Sequence, residues 1–481
     1  MPPEPDAPPA SARRRGSTRD ALAIAAARVT AAVVRRRGRG GTSLPGLVAD
    51  RIAPGLDGRL AGGLRAAALI TGTNGKTTTS RLLATILTGV GRTVVANPSG
   101  ANLRQAIGTV LATGATLRGR LRADSPDGVF EVDEAALPAT RRAIPGALIV
   151  MTNLFRDQLD RYGETDHLVR LWRTMLGEAG PGTPVVVCID DPRLAALVAG
   201  GAADVHTYGL GGPPPRAATA SMTSDLTSCP VCAATLTQHW TAIGHLGDFA
   251  CSSCGFSRPD PELAVTVIRN RGLDGQTIRF DWGSGDSDTV DLDLPGVGNA
   301  YNAAAAVLAA SVMGVPIRDA IRALAASSAA FGRFERLEID GRHVVLTLLK
   351  NPASLDQLTD VAAGSVIDTV AFALNDAHAD GRDVSWYWDA TPAAMVEGRR
   401  FTVSGRRAMD FALRLKYAVA ETPSDDAPGL IGLFDSPADA IDRAVAETPV
   451  AGRVLVVATY TALLGARASL VVRGLVPAMP R

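Results

Sequence analysis

Residues 66–91 read AAALITGTNGKTTTSRLLATILTGVG: an apolar run, a glycine loop and a helical pattern that stops at a glycine. This order predicts a buried strand, a tight turn and a helix. Glycines let backbone N–H groups point at a phosphate, and a helix N-terminus adds partial positive charge. We expect a phosphate-binding loop in which Lys76 reaches the terminal phosphates and Thr77 holds magnesium. Ile70 departs from the standard GxxxxGK[ST] spacing, and a glycine turn without a ligand is the alternative.

Three later runs, GVFEVDEAAL, ALIVMTNL and PVVVCIDD, are apolar and end in polar residues. Their alternation with helical stretches predicts a parallel α/β sheet, which binds ligands at the carboxyl ends of its strands. Glu131, Asp133 and Glu134 follow the first run and are candidates for a magnesium site. Asn153, Asp157 and Asp160 follow the second run and form another polar cluster. A solvated acidic turn is the alternative for each cluster.

The chain has 481 residues, which predicts two or three domains. A hydrophobic fraction of 46% and a charged fraction of 20% exclude a wholly disordered protein. No apolar run is long enough for a spanning helix, and no secretory signal pattern opens the sequence. The net charge of +1 gives no overall attraction for nucleic acid. We expect a cytoplasmic protein.

Changes in composition divide the chain. Residues 1–17 are expected to be a disordered tail, and 18–330 an ATP-binding domain interrupted by an insertion at 212–260. A helix within Asp20–Val34, followed by arginines, either packs on the domain or touches anionic lipid at the inner face of the membrane. Strand and helix patterns resume over 331–481, which predicts a second, Rossmann-like α/β domain.

Four of the five cysteines form two CxxC pairs, Cys229/Cys232 and Cys251/Cys254, separated by 18 residues. This spacing predicts a structural zinc ribbon with four protein ligands, and a redox pair is the alternative. A zinc ribbon also suggests an NTPase that binds nucleic acid. However, the segment from Cys229 to Cys254 contains no lysine or arginine to contact phosphates.

Several motifs together resemble the Mur ligases, which activate a carboxylate with ATP and join it to an amine. They are GTNGKT (72–77), EVDE (131–134), NLFRDQLDRYG (153–163), the pair Asn299/Asn302 and FGRFE (331–335). The resemblance implies that Glu131 contacts magnesium and that Arg333 follows the link to the last domain. It assigns the nucleotide to Gly72, Thr73, Asn74, Gly75, Lys76, Thr77, Thr78, Asn299, Asn302 and Arg333.

The last domain departs from the usual Mur ligase loop DYAHNP, because Leu349-Lys350-Asn351-Pro352 stands in its place. This loop, the segment NDAHADGRDVSWYWD (375–389), TYTALL (459–464) and the four cysteines resemble the MurT family. That family provides the synthetase subunits of lipid II isoglutaminyl synthase. The resemblance implies ATP-dependent amidation of the D-glutamate α-carboxylate of the lipid II stem peptide to D-isoglutamine. The resemblance also implies that the ammonia for this reaction comes from a separate glutaminase subunit, GatD. The alternatives are another Mur-type ligase, acting on folate or a peptide precursor, and an ATP-binding scaffold without activity.

A glutaminase needs a nucleophilic cysteine and a histidine base. Outside the two CxxC pairs, Cys188 remains, and its place within PVVVCIDD predicts a buried structural thiol. The resemblance further implies that an aspartate of 375–389 completes the glutaminase site across the interface. Asp383 is the first candidate, with Asp380 and Asp389 as others, and helix capping is the alternative role.

Overall fold

The computed structural model describes residues 17–36, 43–97, 100–156, 164–201, 204–215, 226–325, 333–421 and 429–476. These ranges form a nine-stranded sheet, a six-stranded sheet and a separate two-stranded hairpin. The tail at 1–16 and the residues Asp157 and Asp160 lie outside the described residues. Among the described helices, none has the length and apolar character needed to span a bilayer.

The nine-stranded sheet and the hairpin take the first eleven strands. They are β1 (Ala67–Thr71), β2 (Val94–Ala96), β3 (Asp127–Glu131), β4 (Leu148–Met151), β5 (Pro184–Cys188), β6 (Asp204–Leu210), β7 (Thr237–Ile243), β8 (Leu246–Ala250), β9 (Leu263–Asn270), β10 (Gln276–Trp282) and β11 (Asp286–Leu292). The sheet has the order β11-β10-β9-β6-β5-β4-β1-β3-β2, and β7 pairs with β8. The phosphate-loop strand β1 therefore lies between β3 and β4.

The predicted parallel sheet is confirmed for the adjacent strands β9-β6-β5-β4-β1-β3-β2, in which every neighbouring pair is parallel. The prediction missed two antiparallel pairings that extend this sheet, β9 with β10 and β10 with β11. The short turn between Trp282 and Asp286 sets the direction of β11 relative to β10, because a connection of that length joins only antiparallel neighbours.

Within the described ranges, ten α-helices accompany the first sheet. They are α1 (Thr18–Arg36), α2 (Leu44–Ile52), α3 (Leu56–Ala61), α4 (Lys76–Gly89), α5 (Arg104–Gly114), α6 (Leu137–Ala143), α7 (Glu164–Ala179), α8 (Pro192–Val198), α9 (Val297–Val312) and α10 (Ile317–Leu324). The alanine-rich α9 is buried along most of its length and packs against α4. Small side chains let α9 approach the helix that follows the phosphate loop.

The six-stranded sheet takes the strands β12 (Arg333–Ile339), β13 (Arg342–Leu348), β14 (Thr369–Ala373), β15 (Arg400–Ser404), β16 (Gly429–Phe434) and β17 (Arg453–Ala458). Its order is β12-β13-β17-β14-β15-β16, parallel except for the β12–β13 hairpin. The helices are α11 (Pro352–Ala363), α12 (Ala393–Val396), α13 (Ala408–Glu421), α14 (Pro437–Glu447) and α15 (Tyr460–Val472). Separate apolar clusters cover its two faces, as the Rossmann-like prediction requires.

A buried polar network joins the inserted hairpin region to the first sheet. Asp190 follows β5 and is fully buried; it accepts hydrogen bonds from Arg258 Nε at 2.8 Å and from the Tyr301 hydroxyl at 2.6 Å. Burial raises the pKa of Asp190, while the Arg258 charge opposes that shift. The neighbouring Asp191 lies 3.3 Å from His245, in the turn between β7 and β8. These contacts fix the insertion on the carboxyl-end side of β5.

Candidate active site

At two positions, the loop between β1 and α4 has a backbone conformation that favours glycine. Gly72 has φ +126° and Gly75 has φ +89°. A Cβ atom on Gly72 would lie 2.3 Å from Thr152 Oγ1, and one on Gly75 would lie 2.1 Å from Asn302 Oδ1. Both glycines are therefore needed for conformation and for space, because neighbouring elements press directly on the loop.

The polar end of β4 supports the loop from one side. Asn153 Oδ1 accepts from the Asn74 N–H at 2.9 Å, and its Nδ2 donates to the Asn74 carbonyl at 3.1 Å. The Thr152 hydroxyl donates to the same carbonyl at 2.7 Å. Asn153, suggested by the sequence as part of a second polar cluster, thus holds the turn of the phosphate loop in place.

Lys76, at the first position of α4, is largely buried within the loop. Its Nζ donates to the carbonyl oxygens of Gly72 and Thr73 and lies 2.7 Å from Glu134 Oε1. The indole N–H of Trp172 donates to the Glu134 carbonyl at 2.9 Å and fixes that residue. The loop therefore places an ammonium group, balanced by one carboxylate, beside the turn where the terminal phosphates of a nucleotide would bind.

Thr77 and Glu131 form the candidate magnesium site. The Thr77 hydroxyl donates to Glu131 Oε2 at 2.8 Å, and the Glu131 side chain is buried at the carboxyl end of β3. Magnesium prefers a few hard oxygen ligands together with phosphate oxygens, and these two side chains offer such a set. Asp133 is used differently, because its Oδ1 accepts from the Ala135 N–H in the following turn.

Asn299 and Asn302 approach the loop from α9. Asn302 Oδ1 accepts from the Thr79 hydroxyl at 3.3 Å, and its Nδ2 donates to Asn299 Oδ1 at 3.1 Å. Asn299 in turn donates to the Pro295 carbonyl at 2.7 Å. The spacing of three residues thus puts both amides on the side of α9 that faces the start of α4. The buried Thr78 lies on the same side of the loop.

A cleft opens beside the loop and is bordered by both large sheets. From the first part of the chain it is lined by Asn74, Gly75, Thr78, Asn299 and Asn302, among others. From the second part it is lined by Lys350, Ser354 and Gln357 among others, in α11 and the loop before it. Its position beside the loop and its mixed polar and apolar lining suit a nucleotide. The Arg333 side chain lies outside the described residues.

The four paired cysteines converge on one point. Their Sγ atoms all lie within 4.8 Å of one another, with 3.7 Å between Cys229 and Cys254 and 3.6 Å between Cys232 and Cys251. Tetrahedral zinc with Zn–S bonds of about 2.3 Å requires sulfur pairs about 3.8 Å apart, so the geometry fits such an ion.

The two CxxC segments have the same backbone geometry. The Ala233 and Gly255 N–H groups, each one residue past a pair, donate at 2.9 Å to the carbonyls of Cys229 and Cys251. Both residues also have positive φ, +62° at Ala233 and +75° at Gly255. This repeated turn aims each pair of thiols at the same centre, which a chance grouping of cysteines would not do.

The three aspartates of 375–389 have different surroundings. Both carboxylate oxygens of the buried Asp380 serve the start of α15, accepting from the Thr461 N–H and hydroxyl. Asp389 pairs with Arg156 at 3.8 Å, on the side of the first sheet. Asp383 is half-buried and uses Oδ1 to accept from the Ser385 N–H and hydroxyl. Within the described residues, Asp383 Oδ2 has no hydrogen-bond partner.

Asn97 is a supporting residue that the sequence did not reveal. Its Oδ1 accepts from the Glu131 N–H and its Nδ2 donates to the Glu131 carbonyl, both at 2.9 Å. This pair of bonds fixes the backbone that carries the candidate magnesium ligand. Asn97 follows the short strand β2 without any recognisable motif, so its role depends on the pairing of β2 with β3.

Gly75→Ala is expected to weaken magnesium–ATP binding at least tenfold, because the new methyl group displaces the Asn302 amide. Gly91→Ala is the matched control: Gly91 also has positive φ, +81°, but a Cβ there meets no atom within 4 Å. The backbone strain, roughly 1–2 kcal/mol, is common to both variants. Titration calorimetry with ATP and thermal unfolding separate the two effects. Equal ATP affinity in both variants would contradict the assignment of the loop.

Comparison with known families identifies the proteins that this chain resembles. Residues 70–310 match the Mur ligase middle domain, and residues 348–463 match the MurT ligase C-terminal family. Among solved structures, MurF from Acinetobacter baumannii superposes with a TM-score of 0.62 at 18% identity, covering 90% of this chain and 81% of that one. At that identity, the likeness shows the Mur ligase fold alone.

Two curated relatives are lipid II isoglutaminyl synthase (glutamine-hydrolyzing) subunits MurT. The protein from Streptococcus pneumoniae is 31% identical over 370 residues, covering 77% of this chain and 80% of its own. The protein from Staphylococcus aureus is 28% identical over 404 residues, covering 83% and 88%. We conclude that the chain belongs to the MurT family of ATP-dependent Mur ligases.

Proposed function

We propose that this chain amidates the α-carboxylate of D-glutamate in the lipid II stem peptide, giving D-isoglutamine at the expense of ATP. In this proposal the ammonia comes from a glutaminase subunit of the GatD type, which forms a heterodimer with this chain. One combination carries the proposal: the relatives are subunits of a glutamine-hydrolysing synthase, and this chain has a phosphate loop but no cysteine suited to hydrolyse glutamine.

The cysteine inventory supports a separate glutaminase. Four of the five cysteines converge on one point and are committed to the candidate metal centre. Cys188 is fully buried in β5, and burial raises the pKa of its thiol well above the usual range, with Asp190 and Asp191 adding to the shift. A thiol that stays protonated and out of contact with solvent is a poor nucleophile, which supports a glutaminase site on another chain.

The reaction begins with a poor electrophile, since a carboxylate resists attack by ammonia. A carboxylate oxygen attacks the γ-phosphorus of ATP, the bond to the β-phosphate oxygen breaks, and ADP leaves with the electron pair. Ammonia then attacks the acyl carbon of the acyl phosphate; inorganic phosphate departs and takes up one ammonia proton. Lys76 neutralises the transferred phosphoryl group, while Thr77 and Glu131 would hold magnesium, which supplies Lewis-acid stabilisation of the phosphates.

Asp383 is proposed to serve the partner's active site. A Cys–His glutaminase needs a third group to orient its histidine. Asp380 uses both carboxylate oxygens within its own domain, and Asp389 pairs toward the first sheet. Asp383 is anchored through one oxygen by Ser385 and keeps the other available, which favours it among the three.

The four-cysteine cluster is proposed to be a structural zinc ribbon. The apolar cluster around it contains six buried residues, two of which are cysteines, so the core alone is small. Structural zinc contributes roughly 10–16 kcal/mol to the folding of such small units. With four cysteine ligands, the ion would have no open position for catalysis.

The two proposed domains correspond to the two large sheets. An ATP-binding domain spans 18–330 with the ribbon inserted at 212–260, and a glutaminase-contacting domain spans 331–481. Acting on a lipid-linked substrate places the protein in the cytoplasm, at the inner face of the membrane. In α1, Leu22 and Val29 are exposed on the helix that ends in Arg35 and Arg36, which suits such a location.

Lys76→Ala is expected to abolish ATP-dependent amidation, because the loop loses the ammonium that neutralises the phosphoryl group. The assay is conversion of lipid II by the purified pair with glutamine and ATP, followed by mass spectrometry. Arg81→Ala, on the exposed side of the same helix, is the control and should retain wild-type turnover. Wild-type turnover by the Lys76 variant would remove the phosphate-loop assignment, and a wild-type pair that leaves lipid II unchanged would refute the proposed reaction.

Protein purified without chelator is expected to contain one zinc ion per chain by elemental analysis. Cys229→Ser should lose the metal and unfold the ribbon locally, while ATP binding remains measurable because the phosphate loop is in a different part of the sheet. Cys188→Ala is the matched control, since it removes a cysteine outside the cluster and should keep the zinc. Wild-type protein without zinc would refute the ribbon assignment.

Asp383→Asn is expected to reduce glutamine-dependent amidation at least a hundredfold without dissociating the complex. Free ammonia should restore part of the activity, because the ATP site is unaffected. Asp340→Asn, in the exposed turn between the edge strand β12 and its neighbour β13, is the control. If ammonia gives no rescue while the complex stays intact, Asp383 acts in synthesis instead.

A further inference from the structure

Helix α1 is apolar on both of its sides. The inner side packs against α2 and α5, and its buried apolar residues are Ala23, Ile24, Ala27 and Ala31. On the outer side, Leu22 is 62% exposed, Val29 64% and Val33 42%. Their spacing of seven and four residues puts these three side chains on one face of the helix. A helix that is apolar all round is normally covered on all sides, so the outer side of α1 indicates a further contact.

A short turn that is rich in arginine lies beside α1. The Arg28 guanidinium donates to the Ala115 carbonyl, and Ala115 forms a β-bridge with Leu121 that closes the turn over residues 115–122. Leu121 packs against the core, whereas Leu117 in the same turn is 51% exposed. This arginine turn therefore adds an exposed surface next to α1.

The combined surface is positively charged. Five exposed arginines belong to α1 and the arginine turn, namely Arg35, Arg36, Arg118, Arg120 and Arg122. Within the described ranges, none of these five guanidinium groups forms an ion pair. Residues 21–49 and 104–123 contain no acidic residue, although the chain has 48, and the exposed Asp124 after the turn offsets one of the charges. The apolar stripe of α1 thus lies beside a local excess of positive charge, whereas the net charge of the whole chain is +1.

This charge distinguishes between the possible occupants of the surface. A second copy that docked through the same face about a two-fold axis would bring two sets of arginines together, and like charges repel. The N-terminal residues 1–16 contain three arginines and two acidic residues, so they offer no net negative charge either. An anionic phospholipid surface supplies an apolar phase for Leu22, Val29 and Val33 and phosphate groups for the arginines.

We propose that the outer side of α1 and the arginine turn form a docking surface for anionic phospholipid. This inference deepens the proposed function and rests on it for the location of the substrate, because a lipid-linked substrate is embedded in such a surface. Docking confines the chain to the plane in which the substrate diffuses and so favours their encounter. The docking surface acts on access to the substrate in a membrane and takes no part in the transfer of phosphate or ammonia.

The test measures binding of the full chain to lipid vesicles by co-sedimentation. Vesicles of equal parts phosphatidylglycerol and phosphatidylcholine are compared with vesicles of phosphatidylcholine alone. We expect at least tenfold tighter binding to the anionic vesicles, because each arginine near an anionic surface strengthens binding about fivefold. Added salt should weaken this binding, because it screens the charge of the arginines.

Two sets of substitutions address the two parts of the surface. Arg118→Gln/Arg120→Gln/Arg122→Gln should lower the affinity for anionic vesicles at least tenfold, because three positive charges are lost. Val29→Gln/Val33→Gln should lower it by a similar factor. The valine substitutions leave the net charge unchanged, so their effect reports insertion of the apolar side chains into the membrane.

The matched control for the arginine variant is Arg81→Gln/Arg318→Gln/Arg322→Gln, which removes the same charge from exposed positions in α4 and α10. These two helices pack against each other and against α9, and the affinity of this control for vesicles should stay within about threefold of the wild type. All variants, together with the glutaminase subunit, should amidate lipid II in detergent at the wild-type rate. Thermal unfolding checks that each variant is folded, and Leu22→Gln replaces the valine variant if that variant is unstable.

Three results would overturn the inference. They are a wild-type chain that binds neither kind of vesicle, surface variants that bind as tightly as the wild type, and a wild-type dimer that light scattering finds lost in Val29→Gln/Val33→Gln. In each case, normal amidation of lipid II in detergent leaves the proposed function intact. If the chain binds anionic vesicles but the complex leaves lipid II unchanged, the proposed reaction is wrong and the docking surface remains.

Discussion

The close approach of the phosphate loop to its neighbours is the constraint on which the rest of the structure depends. Gly72 lies against the end of β4 and Gly75 against Asn302 of α9, with no room for a side chain at either position. Glycine at both positions therefore allows β4 and α9 to pack directly against the loop. β1 lies inside the sheet with β3 and β4 on its two sides, so residues that follow both of these strands can reach the loop.

The same strand order brings the residues of the candidate site together. Parallel strands end at one edge of a sheet, so Glu131 of β3 and Asn153 after β4 meet the loop that follows β1. Glu131 reaches the Thr77 hydroxyl, and Asn153 holds the Asn74 backbone. Residues more than fifty positions apart thereby share one site without any direct link in the chain.

The last domain completes this site from across the cleft. The loop of Lys350 and Asn351 contacts Thr73 and Asn74, so the second sheet borders the same cleft as the phosphate loop. The insertion has a different role. Its cysteines converge on their own centre, and Asp190, with Arg258 and Tyr301, fixes this region to the first sheet through buried hydrogen bonds.

The sequence by itself determined the features that depend on local spacing. The order of strand, glycine loop, lysine and helix identified β1, the loop and α4, and the spacing of the CxxC pairs identified the four-cysteine cluster. Tertiary structure decided the contacts between distant segments: the Asn97 bonds to Glu131, the antiparallel β10 and β11, and the meeting of Lys350 with Thr73. It also distinguished Asp380 from Asp383, three residues apart in one motif, because only the fold brings Thr461 to Asp380. Residue spacing determines which side chains meet within one loop or one helical turn, whereas strand order and domain packing determine the contacts between distant segments.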